Sequence, residues 1–416
     1  MAETRNIVIL GASYAGSGTA HYFLKHVYPH LPKSSKVTYR VVLVDPSAKW
    51  YLRHASPRAI ASEELMPTKH VFLNTVDGFK QYGDAFQFIQ GSATSWETEK
   101  RVVTISTGHS KEEQLPYHAL VLATGTQTTS PLFSLQGTPH TDIQAALRTV
   151  RDQVSRAKKI VIAGGGPAGV ETAGELGEML NGAAGWFSSW PSNINTEIVL
   201  ITNSFKLLPK LRESIAKQAE TYLNRVGVEV RYNTKVSSAK STSNGKTTVT
   251  LHDGEELDAD LYIPATGLVP MSEYVPKRLL DGSGYVKTNV ETLRVDEAGP
   301  RVYAVGDIGT YSRNAIMDIL DSVPVVNSNL KRDLLAAHDN VNAKATGPDR
   351  KWKATAEETQ LVPVGPSKGV GAIFGWKVPS IFVWLIKGRN FMITESAVND
   401  KLMGKDWEKE KAWDGK

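Results

Sequence analysis

Two glycine-rich segments, Gly11 to Gly16 (GASYAG) and Gly164 to Gly169 (GGGPAG), stand about one domain length apart, each directly behind a run of β-branched and aliphatic residues. A turn of this kind lets the backbone approach a pyrophosphate at a helix N-terminus, where unpaired N–H groups and the positive dipole end favour an anion. One turn holds one dinucleotide, so two turns predict two dinucleotides, most simply a flavin nucleotide and a nicotinamide nucleotide. Three carboxylates accompany them. Asp45 ends a strand behind the first turn and suits a ribose hydroxyl pair, and Glu171 directly follows the second turn. Asp307 follows Gly306 at the end of Arg301-Val-Tyr-Ala-Val-Gly-Asp307, where a carboxylate can accept ribityl hydroxyls.

The positioning elements are legible around these residues. Ile7 to Leu10 form an unbroken apolar run, as a parallel strand buried on both faces requires. Gly11 allows the sharp turn and Gly16 lets a helix pack closely on the strand, while Ser13 occupies the middle glycine's place. Tyr39 to Asp45 reads as the second strand, displaced from the turn by a looped insertion at 30–36. Read alone, the first turn is equally a glycine-punctuated loop in an ordinary α/β fold. The second is more specific: strand 159–163, the three glycines Gly164, Gly166 and Gly169, then a helix over 170–180. The following strand, 197–202, ends without the expected acid. Thr202, Asn203 and Ser204 stand where a carboxylate rejects a 2′-phosphate, and Lys206 is close in sequence, so NADPH is admitted alongside NADH.

Glu171 has two readings. On a helix whose start faces the pyrophosphate, its side chain can reach the nicotinamide amide. A carboxylate near a helix start is also stabilising by ~0.3–1 kcal/mol with no further role.

Composition narrows the function. The 416 residues are 41% hydrophobic and 22% charged, ordinary for a chain of two or three domains. A net charge of +5 with scattered basic residues predicts a solvated surface and no nucleic-acid partner. Cysteine is absent, which excludes disulfides, thiolate zinc sites, iron–sulfur clusters and any redox dithiol. The first strand begins near residue 6, leaving no space for a secretory leader, and no apolar run approaches the ~18 residues of a membrane span. A cytoplasmic location is expected.

Two further turns complete the pattern: Ala119 to Gly125 ends in Ala123-Thr124-Gly125, and Leu261 to Gly267 repeats the ending. The ordered set resembles the two-dinucleotide flavoproteins, in which a nicotinamide domain is inserted into an FAD domain. It is most similar to the apoptosis-inducing-factor-like group that includes the ferroptosis suppressors, with type II NADH dehydrogenases as cousins. The resemblance rests on GASYAG, on Trp50 to Ile60, on GGGPAGVETAGEL, on the segment from Gly306 to Leu330, and on a tail block from Pro363 to Gly388. It implies an α/β fold of two Rossmann-like domains with a C-terminal α+β region. The implied division is 1–130 and 280–345 for FAD, 131–279 for NAD(P)H, and 346–416 for the C-terminal region.

Carried over by position, the resemblance implies FAD contacts at Gly11, Ser13, Tyr14, Ala15 and Gly16. It places Asp45 on the adenosine ribose, Arg58 near the pyrophosphate or ring, and the Ala93 backbone beside the adenine. Ala123, Thr124 and Gly125 would line the flavin, Gly306 and Asp307 would hold the ribityl chain, and a helix beyond Asp307 would present its positive end to the ring. Glu171 would orient the nicotinamide.

The implied activity is hydride transfer from NAD(P)H to FAD, then electron transfer to a small quinone-like acceptor. Two other classes stay open: a tailoring oxidoreductase of an aromatic secondary metabolite, and an apoptosis-inducing-factor-like effector whose binding is gated by redox state. The aromatic stretch 371–386 is implied to cover the flavin or shape a quinone entrance or peripheral membrane contact, against a core strand or a homodimer surface. A last helix is expected over 400–416, packed on the body.

Overall fold

Ile7, Val8, Ile9 and Leu10 are all sealed from solvent, and alternate residues enter two different cores. A strand in that position needs a neighbour on each edge and a layer on each face. The computed structural model, which describes residues 3–413 except 33, 35, 109, 110 and 136, supplies both.

Strand β1 (Glu3–Leu10) runs through the first turn into helix α1 (Tyr14–Tyr22), and β2 (Val37–Asp45) returns beside it. Helix α2 (Ser56–Ala61), strand β3 (Phe86–Gln90) and strand β4 (Ala119–Leu122) follow. The chain then builds a second unit from α3 (His140–Val154), β5 (Lys159–Ala163), α4 (Pro167–Asn181), β6 (Glu197–Ile201), α5 (Glu213–Asn224), β7 (Val228–Arg231) and β8 (Leu261–Pro264). It comes back to the first sheet with β9 (Val302–Ala304) and helix α6 (Ile316–Ala336). The first sheet has the all-parallel order β9-β4-β1-β2-β3, and the second has the parallel order β7-β6-β5-β8.

In both sheets the direction of winding reverses beside the strand that carries the glycine turn. β1 lies between β2 and β4, and β5 lies between β6 and β8. Such a reversal opens a crevice at the carboxyl ends of the strands, where ligands of this architecture sit.

The last part folds as an antiparallel sheet, β10 (Gln360–Val364), β11 (Lys368–Ile373) and β12 (Trp376–Lys377), followed by helical turns at Ser380–Val383 and Trp384–Gly388 and by α7 (Glu395–Leu402). It packs on α4: a Cβ on Gly174 would stand 2.6 Å from the Gly365 nitrogen, so only glycine admits the close approach.

Three expectations are corrected. Helix α4 begins at Pro167, three residues before the expected start, because proline at the first helical position forfeits no hydrogen bond. The helix expected directly beyond Asp307 begins only at Ile316. The single helix expected over 400–416 is two pieces. Helix α7 starts at Glu395, capped by the Thr394 hydroxyl, and stops at Gly404, whose φ of +68° ends a helix. One 3₁₀ turn, Lys405–Trp407, follows, and Trp407 seals against Gly18 and Tyr22, packing the segment on the body. Asp414 and Lys416 lie outside the described residues.

Candidate active site

The first turn is shaped by contacts that only glycine allows. Gly11 has φ +101°, and a Cβ there would lie 2.4 Å from the Ala123 carbonyl oxygen. A Cβ on Gly16 would lie 1.7 Å from the Gly11 carbonyl oxygen. The turn is thus clamped between β4 and α1, and it aims the start of α1 at the crevice. Ser13 is the N-cap and makes no side-chain cap bond, so it leaves the helix N–H groups open.

Two carboxylates flank this turn. Asp45 accepts the Ala12 N–H at 2.7 Å and the Ser47 N–H at 2.8 Å. Burial nevertheless pushes its carboxyl up to about 6. Asp307 stands on the other side, since a Cβ on the adjacent Gly306 would meet the Ala15 side chain at 2.8 Å. Burial raises Asp307 as well, and the Arg53 charge opposes the rise. Gly11, Ala15, Ala123, Gly306 and Asp307 are therefore gathered at the carboxyl ends of β1, β4 and β9. Thr124 donates to the Met271 carbonyl at 2.7 Å, and Gly125 turns the chain with φ +66°. Ala93 lies just past Gly91, whose N–H donates to the Asp45 carbonyl.

The second turn repeats the geometry. Gly164 has φ +131° and would place a Cβ 2.5 Å from the Ala265 carbonyl oxygen, while a Cβ on Gly169 would fall 1.8 Å from that of Gly164. Gly166 caps α4 with nothing within 4 Å of its absent Cβ, which leaves room for a phosphate. Thr202 closes behind this turn, its hydroxyl 2.6 Å from where a Cβ on Gly165 would be. Lys206 is turned to the Leu211 carbonyl at 2.6 Å.

Between the turns lies a ladder of buried charge. Glu171 is 3% exposed, and its Oε1 accepts Lys387 Nζ at 2.6 Å. Burial raises the Glu171 carboxyl to about 7, against the pull of Lys387. One helical turn on, Glu175 receives a bidentate pair from Arg58 at 2.9 and 2.8 Å. Arg58 gives its other bonds to the carbonyls of Gly388 and Arg389 and lies over the Phe391 ring. The Arg58 guanidinium ties α2, α4 and the C-terminal region together, because the desolvated Glu175 carboxylate requires a cation.

Tyr14 reaches across from the first turn. Its hydroxyl lies 3.1 Å from His54 Nδ1, and burial lowers His54 to about 4, helped by the charges of Lys387 and Lys401. Lys387, Arg53 and His54 were not read from the sequence as site residues. Lys387 is 216 positions from Glu171, and no local pattern links them.

The arrangement fits two dinucleotides. Each turn leaves helix N–H groups unbonded, neither helix carries an acid in its first turn, and the carboxylates Asp45 and Asp307 flank the first turn. Among the described residues no cluster of His, Cys, Asp and Glu could hold a metal, and no helix is long and apolar enough to cross a membrane.

Comparison with known proteins agrees with this geometry. The profile of the pyridine nucleotide-disulphide oxidoreductase family matches residues 5–324. Oxidoreductase phnG of Penicillium herquei is 45% identical, with 99% of this chain and 96% of the relative aligned. Human ferroptosis suppressor protein 1 is 28% identical, with 94% of each chain aligned. Among solved structures, NDH2 of Plasmodium falciparum in complex with NADH shares the fold with a TM-score of 0.66 at 14% identity, over 97% of this chain and 98% of that one.

Proposed function

Because the chain belongs to the pyridine nucleotide-disulphide oxidoreductase family and is an FAD-dependent oxidoreductase with NAD(P)H as donor, we propose that its second acceptor is a small, planar, quinone-like molecule. The observation that carries this reading is the pair of reversal crevices in a chain without cysteine. No dithiol can relay electrons, so they leave the flavin directly for a diffusible acceptor.

The flavin, when bound, supplies the two-electron carrier between donor and acceptor. The protein's share is placement. We assign the first turn and the start of α1 to the FAD pyrophosphate, Asp45 to its ribose and Asp307 to its ribityl hydroxyls. Ala123, Thr124 and Gly125 border the ring, and the second turn takes the NAD(P)H pyrophosphate. Glu171, fixed by Lys387, orients the nicotinamide amide; β10–β12 and the turns after them exclude water above it. In this reading residues 1–130 and 280–345 form the FAD domain, 131–279 the NAD(P)H domain and 346–416 the cover.

A second reading, an aromatic metabolite as acceptor, uses the same scaffold and differs only in the acceptor pocket. Anaerobic titration of the purified yellow protein with NADH and NADPH should bleach the flavin band, and a quinone added next should restore it. Bleaching without reoxidation by any quinone would leave the aromatic metabolite. Colourless protein that does not take up FAD would end both readings.

A further inference from the structure

The loop between α4 and β6 carries the two most exposed large apolar side chains among the described residues, Trp186 at 94% and Phe187 at 105%, with Trp190 beside them. Both rings stand in water with no packing partner, although most of the chain's large side chains are buried. We propose that this loop is a membrane-contact element, whose aromatic tip enters the interface of an anionic lipid bilayer. The proposal does not depend on the identity of the electron acceptor.

The loop is built to display the rings. Arg225 grips its backbone, donating to the Ala184 carbonyl at 2.8 Å, the Gly185 carbonyl at 3.1 Å and the Ser188 carbonyl. Ser188 N–H closes a turn on the Gly185 carbonyl at 3.1 Å. At the far end Asn181 Oδ1 accepts the N–H groups of Asn195 and Thr196, both at 3.0 Å. With the backbone fixed, the tip inserts without first losing conformational freedom.

Charge selects the occupant. Residues 179–196 contain no charged side chain, as entry into an interface requires. The loop's last residue docks on a basic segment: the Thr196 hydroxyl donates to the Ala157 carbonyl at 2.9 Å, between exposed Arg156 and Lys158. Glu197 is engaged by Lys159 and Asp260 by the N–H groups of residues 158 and 159, while exposed Asp152 offsets one of the two charges of Arg156 and Lys158. An uncharged aromatic tip, gripped by Arg225 on a loop whose foot docks on a basic segment, matches a surface with an apolar interior and anionic headgroups.

Area argues against a protein partner. Two aromatic side chains offer about 300–500 Å², short of the roughly 800 Å² per partner in a stable protein interface.

The test is co-sedimentation of the intact flavoprotein with vesicles of phosphatidylcholine alone or with phosphatidylserine. The wild type should sediment with the anionic vesicles, less so at high salt. The Trp186→Ser/Phe187→Ser variant should lose at least about tenfold in partitioning, as removal of buried aromatic area does. The Arg156→Gln/Lys158→Gln variant should lose binding to anionic vesicles only. Unchanged flavin bleaching by NADH establishes that each variant is folded, and the basic-shoulder variant keeps the test decisive if the aromatic one is not. Wild type that stays in solution with both vesicles overturns the proposal. So does an aromatic variant that sediments like the wild type, or one whose only change is loss of a dimer in size-exclusion chromatography.

Discussion

Lys387 Nζ lies 2.6 Å from Glu171 Oε1 and also donates to the Leu361 carbonyl, so a cation from the last part of the chain sets the carboxylate beside the second glycine turn. The same lysine is close enough to His54 to help lower its basicity, and His54 touches Tyr14 at the first turn.

The Glu171 carboxyl, raised to about 7 from an ordinary 4.5, binds its proton more tightly folded than unfolded. Its contribution to stability is therefore complete below about 4.5 and lost as pH climbs through about 7. Urea midpoints of Glu171→Gln should vary less across that window than those of the wild type. Lys387→Met removes the opposing charge and should move any Glu171-dependent step in the flavin-reduction rate to higher pH. An unmoved step would show that Glu171 is not the titrating group.

Gly16→Ala and Gly169→Ala should separate the two nucleotides. A Cβ would stand 1.7 and 1.8 Å from the preceding turn's carbonyl, so each turn must distort. Gly16→Ala should give colourless protein. Gly169→Ala should stay yellow and resist bleaching by NADH. If Gly169→Ala lost its flavin while Gly16→Ala kept it, the assignment of the turns would be reversed.

Asp307→Asn keeps the shape and removes the charge that strengthens hydrogen bonds to sugar hydroxyls. FAD affinity should fall about 10- to 100-fold, the size of a charge-assisted hydrogen bond of about 1.5–3 kcal/mol. Equilibrium dialysis of the flavin measures this, and unaltered affinity would remove Asp307 from the FAD site.

Arg58→Ala leaves Glu175 buried without its cation, so stability should drop by about 3–5 kcal/mol, seen as a lower urea midpoint. Arg58→Lys should recover only part of this, because one ammonium cannot reproduce a bidentate pair. The flavin spectrum of the protein still folded should match the wild type, whereas a cofactor contact would shift it.

The glycine turns, the strands behind them and Asp45 were readable because they depend on neighbours close in sequence. An apolar run, a backbone that must turn and a helix that must pack closely leave a local signature. The Ala123 and Ala265 turns were readable as strand endings, but that each presses on a glycine of its own sheet follows from strand order. The same limit explains the misreading at residue 400: the helix ends before Gly404, which turns the chain at φ +68° so close to His21 that a Cβ would fall 2.4 Å from its ring.

The order of residues alone settled that two glycine turns exist, that each is followed by a helix, and that no thiol takes part. Those are matters of steric allowance and composition, written one position at a time. Which charges meet was decided by folding: Arg58 with Glu175 and Lys387 with Glu171. Pairing energies depend on distance and on exclusion of water, and the closing of one layer over another fixes both.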